Sequence, residues 1–379
     1  MQIVPGIDAL RQGNAELEDF LRGRRCGLVT NHTGRARDGT ATLTILTYCG
    51  ANVRTLFSPE HGPRGDREGD VESSMEFGRT FHSLYGPTRR PTNAMLQNLD
   101  ALIFDIQDAG ARFYTYSTTL CYIVEACAEN NIPLLVLDRP NPLGGENVSG
   151  PHVDEDQRSF VGYARIPIQH GLTLGELAFW HRADANLNVD IRIARVSGLT
   201  GAMKWPETGL QWHPPSPNLP DWNAVQWYPA TCLLEFSGVS VGRGTDSPFA
   251  LVGAPWLDSQ RVIEESESWP GAARAGLELQ PCDFTPGRAT WESSPCHGIR
   301  LCRTSDEMNP VLAGMALLAA LHRTHPREFD EEKLRAALPL LGSSQILELL
   351  KIGDITAAIE IAQRDAANFK AQRAPYLLY

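Results

Sequence analysis

In the first 140 residues, short and continuously apolar runs alternate with longer stretches whose apolar positions recur every three or four residues. Cys26–Thr30, Val53–Phe57, Ala101–Ile106 and Ile132–Leu137 read as strands, because a strand buried on both faces has no polar side to show. Thr40–Cys49, with Gly50 placed to stop it, reads as a helix. So does Thr115–Asn130, in which Leu120, Ile123, Val124 and Cys127 share one buried stripe. Thr92 can cap a short helix through Leu99, and the chain between Phe57 and Thr92 reads as a long polar loop. Apolar strands separated by helices predict an α/β fold with a parallel sheet covered on both faces.

A second region begins near Pro167. Thr173-Leu174-Gly175-Glu176 is a capping box, which gives Glu176 a structural task before a catalytic one. Ile191–Val196 is a further strand. Lys204–Trp227, rich in proline and tryptophan, is expected to be irregular and long enough for a functional wall or a crossing between domains. The C-terminal third is expected to be largely helical, over Pro310–Thr324, Asp330–Leu338 and Ile355–Phe369. In the last helix Ile355, Ile359, Ala362, Ala366 and Phe369 hold one apolar face, and the tail from Ala374 to Tyr379 is apolar enough to dock.

A net charge of −11 argues against nucleic acid or an anionic membrane as partner, so an anionic substrate would need local arginines. No apolar run approaches the roughly 20 residues of a membrane span. The N-terminus lacks the basic and apolar regions of a secretory signal, which points to the cytoplasm or to a leader already removed. The eight cysteines lack disulfide or zinc-ribbon spacing and read as reduced thiols, mostly core. No Gly-x-Gly-x-x-Gly follows the first strand and no acidic residues recur at a metal spacing, so neither a dinucleotide cofactor nor a metal is expected.

The chemistry gathers where the strands end. In a parallel α/β sheet ligands bind beyond the carboxyl ends of the strands. Those ends carry Asn31-His32, Glu60-His61, Asp105-Gln107-Asp108 and Asp138-Arg139-Asn141, all on one edge. Glu60, between Pro59 and Gly62, is the natural general acid, and the alternative is a turn carboxylate paired with Arg64 or Arg67. His61 either orients Glu60, bonds a substrate hydroxyl or is structural. Asp105 or Asp108 can supply the second carboxylate of two-carboxylate chemistry, or one of them fixes Arg112. Arg112, read as lying at a helix start, is a candidate for a substrate carboxylate. Gly238-Val239-Ser240-Val241-Gly242 matches a nucleophile elbow, but loop chemistry follows where a helix is required, so a serine esterase is a minor reading.

The motifs Gly27–Gly34, Phe57–Gly62 and Asp105–Tyr116 resemble the NamZ-type exo-β-N-acetylmuramidases. The resemblance runs on through Leu137–Pro142, His170–Thr173, Pro215–Asn218, Gly242–Phe249 and Tyr376–Tyr379, nearly the whole chain in order. It implies a Rossmann-like parallel sheet domain followed by a smaller α+β C-terminal domain, here drawn as 1–200 and 201–379, with a cleft between them. It implies hydrolytic release of N-acetylmuramic acid from the non-reducing end of peptidoglycan fragments, without a cofactor. The family's proposed catalytic glutamate falls on Glu60. The lactyl carboxylate of the sugar gives an arginine a task, with Arg112, Arg139 and Arg243 as candidates in that order. Tyr114, His170 and Asp246 lie in the resembling motifs and join the substrate-binding candidates. Where many relatives read Val-Glu-Gly-Pro, this chain has Val148-Ser149-Gly150-Pro151, so Ser149 stands where a carboxylate is expected. A muropeptide-binding protein without turnover is the alternative that this exchange leaves open.

Overall fold

The computed structural model describes residues 2–66, 73–76 and 78–379. Arg67, one of the two expected partners of Glu60, lies outside the described residues. Strands β1 (Arg25–Thr30), β2 (Asn52–Ser58), β3 (Ser74–Glu76), β4 (Arg79–Ser83), β5 (Ala101–Asp105), β6 (Leu134–Leu137) and β7 (Ile191–Ala194) form one sheet in the order β3-β4-β2-β1-β5-β6-β7. All neighbours are parallel except β3 and β4. The register sets Val29 beside Phe57 and Phe104, and Phe104 beside Val136, so the residues after these strands emerge on one edge. The chain runs from β1 outward to β2 and β4, then returns to lay β5 on the other side of β1. That reversal is the position at which doubly wound sheets open a crevice for ligands.

The helices that matter below are α1 (Thr42–Tyr48), α2 (Tyr116–Asn130), α3 (Leu174–Asp184), α4 (Trp222–Thr231), α5 (Pro310–Thr324) and α6 (Ile355–Arg373). α3 opens with the full capping box of Thr173 and Glu176. The five positions expected on the inner face of α6 are all buried. The smaller C-terminal domain has an antiparallel sheet of β8 (Leu251–Ala254), β9 (Leu277–Phe284) and β10 (Cys296–Arg303), in the order β8-β10-β9. Its centre is α5, whose residues from Val311 to Leu321 are all buried. Gly314 lets α5 lie against α4, since a Cβ there would sit 2.2 Å from the carbonyl oxygen of Ala230. No helix among the described residues is long and apolar enough to cross a membrane.

Two sequence expectations fail here. The long polar loop contains β3 and β4, with β4 paired to β2 from Thr80 to Ser83. Phe81 is the one buried apolar side chain that β4 brings, so no apolar run announces it. The supposedly irregular Lys204–Trp227 holds a helical turn at Trp205–Thr208 and the start of α4. The Asp221 side chain caps α4 by accepting from the Ala224 N–H, a signal that the surrounding prolines mask.

Candidate active site

Glu60 follows β2 in a turn whose next residues, His61 and Gly62, both adopt left-handed backbone, at φ 69° and 72°. The turn carries the half-buried Glu60 toward the start of α2, where Thr115 donates its hydroxyl to Glu60 Oε2 at 2.6 Å. Thr115 is the N-cap of α2, yet its side chain makes no cap bond to the helix. A carboxylate at that end also meets the favourable pole of the helix. Tyr116 is fully buried and ties the surrounding backbone together. Its hydroxyl is 2.9 Å from the Pro215 carbonyl and 3.3 Å from that of Glu60, and it accepts from Asn31 Nδ2 at 3.0 Å. Burial pushes the Tyr116 phenol well up, so it remains a donor.

Around this point the sequence candidates separate into two groups. Asn31 holds Thr33 through Oδ1. His32 sits against the Pro214 carbonyl through Nε2 at 2.8 Å, and burial lowers its pKa, so the ring is a neutral donor. His61 stands close enough to His32 for their charges to interact. Beyond β5, Asp108 Oδ2 accepts from the Gly110 N–H at 2.9 Å and lies 3.5 Å from His170 Nε2. Gln107 donates through Nε2 to the carbonyls of Asp108 and Pro140. Gln107 Oε1 and Asp108 Oδ1 are buried acceptors with no hydrogen-bond partner among the described residues. Buried acceptors left without a partner call for a water or a ligand group to satisfy them. Tyr114 packs edge-on against Tyr116 at 4.6 Å and against Tyr228 at 5.9 Å.

The other group is already engaged within the protein. Asp105, expected as a catalytic carboxylate, is fully buried and accepts from Arg139 Nε at 2.5 Å, Arg139 Nη2 at 3.0 Å and the Thr42 hydroxyl. Arg139 Nη2 also donates to the Arg35 carbonyl, so the pair is tied into the fold, with Arg139 at the edge of a small cavity that Gln107 also lines. Arg112, first choice for a substrate carboxylate, does not start a helix, since α2 begins four residues later. Its Nη1 donates to the carbonyls of Pro151 and Ile166, and its Nη2 to those of Leu340 and Leu341. Burial pulls its pKa down to about 9, and its task is to tie the two domains.

Asp138 and Asn141 are likewise structural in their contacts. Asp138 accepts from the Thr173 and Tyr379 hydroxyls and from the N–H groups of Arg139 and Gly175. Asn141 joins the Leu172 carbonyl to the Leu143 N–H. Ser149 donates to Asn309 Oδ1 at 2.8 Å, which places it against the C-terminal domain. Arg64 and Asp246 are exposed. Ser240 is buried, accepts from the Gly242 N–H and bridges to Gly253, with turns after it, so the nucleophile-elbow geometry is absent.

One group escaped the sequence reading. Glu235, just beyond the end of α4, accepts from Arg243 Nε at 2.5 Å, and Arg243 Nη2 reaches the same oxygen. Burial pushes the Glu235 carboxyl up, Arg243 draws it back, and the nearby Glu60 charge pushes it further up. The two carboxylates therefore share one electrostatic environment although they come from different domains. Tyr114, Tyr228 and Phe249 are in ring contact one with the next. No motif marks Glu235; the signal was its arginine, eight residues on and already a candidate.

Comparison with known proteins adds to this geometry. Residues 26–223 match the family model described as the N-terminal part of exo-β-N-acetylmuramidase NamZ, and residues 226–379 match its C-terminal part. The chain is 36% identical over 389 residues to the peptidoglycan β-N-acetylmuramidase NamZ of Bacillus subtilis, covering 100% of this chain and 92% of that protein. Two crystal structures of DUF1343 family proteins from Bacteroides fragilis are also similar. One superposes with a TM-score of 0.90 at 29% identity, the other with 0.79 at 30%, each covering 100% of this chain and 99% of its own.

Proposed function

Because the chain belongs to the NamZ family of exo-β-N-acetylmuramidases, we propose that it is a glycosidase that removes N-acetylmuramic acid from the non-reducing end of peptidoglycan fragments, with Glu60 as its acid/base. The observation that carries the reading of Glu60 is its placement at the carboxyl end of β2, beside the reversal point of the sheet, with its carboxylate bonded to Thr115. In hydrolysis the bond from the anomeric carbon to the leaving oxygen breaks. The leaving oxygen takes a proton from Glu60, and water supplies the hydroxyl that ends on the sugar. Gln107 and Asp108, with their unpartnered oxygens, offer acceptors to the sugar's hydroxyl and amide N–H groups. Arg243 takes the lactyl carboxylate, since its side chain is 27% exposed, whereas Arg112 is engaged with four carbonyls and the Arg139 side chain is only 9% exposed. Soluble MurNAc-GlcNAc fragments are the substrates this reading favours, in the turnover of cell wall.

The test is release of 4-nitrophenol from the β-N-acetylmuraminide and from the β-N-acetylglucosaminide, by wild type and Glu60→Gln. The muraminide should be cleaved preferentially, and the variant should lose about 10²- to 10⁴-fold in kcat, the range for a positioned acid/base. Turnover of neither sugar, or full activity in the variant, would overturn the assignment.

A further inference from the structure

The Arg243 guanidinium has two usable edges, and the structure occupies one of them. Nε and Nη2 both lie on Glu235 Oε1, which takes up one edge of the planar fork and leaves Nη1 outside the pair. The arginine's backbone is fixed as firmly. The N–H groups of Gly287 and Arg288 donate to the Arg243 carbonyl at 3.1 and 3.2 Å. The approach is close enough that a Cβ on Gly244 would lie 2.7 Å from Gly287 Cα.

The loop that makes this contact holds Ala289, Trp291 and Ser293 in left-handed backbone, at φ 64°, 64° and 60°. Such conformations persist only where surrounding contacts impose them. Here Trp291 Nε1 donates to the Gly238 carbonyl at 2.9 Å. An open pocket here is lined by Glu235, Phe236, Ser240, Arg243, Arg288 and Thr290. Phe236 is 57% exposed, an apolar face of the kind that stacks on a pyranose ring.

The pair differs from Asp105–Arg139, whose arginine side chain is 9% exposed, because the Arg243 side chain is 27% exposed. The Glu235 side chain is only 14% exposed and sits within range of the Glu60 charge. We propose that Glu235 is the positioning residue of a carboxylate-reading subsite: by pinning one edge of Arg243 it presents Nη1 to the acidic substituent of the sugar. In this way it sets the preference for acidic over neutral substrates. The inference rests on the reading of Arg243 given above.

The test compares 4-nitrophenyl β-N-acetylmuraminide with the methyl ester of its lactyl carboxylate. The ratio of the two kcat/KM values does not depend on how much of a variant folds. In Glu235→Gln the acid-over-ester ratio should fall about tenfold, mainly through KM for the acid, as expected for loss of a charge-assisted anchor. Glu235→Asp, which keeps the charge on a shorter arm, should lose less. An unchanged ratio in Glu235→Gln, with both substrates slowed alike, would overturn the inference. Arg243→Met separates the two readings. If it keeps the ratio, Arg243 is not the anchor; if it abolishes the ratio while Glu235→Gln keeps it, only the role of Glu235 falls.

Discussion

Thr115 stands at the N-cap of α2 but gives its hydroxyl to Glu60 instead of to its own helix, at 2.6 Å. A side-chain cap needs non-helical backbone, whereas Thr115 is helical at φ −62° and ψ −10°, so its hydroxyl is left for the carboxylate. Thr115→Val keeps the shape and removes the donor. It should lower kcat about tenfold, the effect of losing one hydrogen bond to a charged group, with thermal stability nearly unchanged. Steady-state kinetics on the muraminide check this, and a Thr115→Val enzyme with wild-type kcat would show that the bond does not serve catalysis.

Asp105 and Arg139 illustrate a carboxylate near a site that serves the fold. Asp105 is fully buried and Arg139 is 9% exposed. Asp105→Asn leaves a buried guanidinium without its counter-charge, which should cost about 3–5 kcal/mol. Urea unfolding measures that loss, and kcat per folded molecule should fall far less than in Glu60→Gln. Near-native stability with abolished turnover would instead return Asp105 to the chemistry.

How much of this was legible in the sequence depends on the reach of each signal. The strand ends could be read because continuous apolar runs locate β1, β2, β5 and β6, and a parallel register carries their ends to one edge. β4 could not, because a strand beside the sheet's edge needs only Phe81 buried. Glu60 was visible from its proline and glycine neighbours. The fate of Asp105, Arg112 and Asp138 was not. Their partners lie 34 or more residues away for Asp105 and Arg139, and 228 residues away for Arg112 and Leu340. Long-range pairing decides whether a polar residue after a strand meets substrate or backbone, and no local spacing encodes it.

Glu176 gives a pH signature. It caps α3 and accepts from Leu378 N–H at 2.7 Å, and burial pushes its carboxyl from 4.5 up to about 7, with Asp138 adding to the rise and Arg373 opposing it. A carboxyl whose folded pKa is raised favours the folded state most below its unfolded pKa, and that contribution disappears as pH rises through the folded value. Between pH 5 and pH 8 wild type should therefore lose about 2–3 kcal/mol of stability that Glu176→Gln does not lose. Urea unfolding of both proteins at the two pH values measures the difference, and parallel pH dependence would refute it.

The C-terminal tail reaches the same cluster from the other side. Tyr379 donates its hydroxyl to Asp138 Oδ2 at 2.9 Å and accepts from the Val196 N–H at 2.8 Å, so the last residue of the chain links the ends of β6 and β7. Tyr379→Phe removes both bonds and leaves the ring. Asp138 keeps Thr173, Gly175 and Arg139 as donors, so the loss should be about 1–2 kcal/mol and not a collapse. Tyr376→Phe, three residues earlier, should change stability by less than about 0.5 kcal/mol, as a substitution away from such features does. Chemical unfolding of the two variants side by side decides the matter: equal stabilities would mean that the tail docks through its apolar surface and not through Asp138.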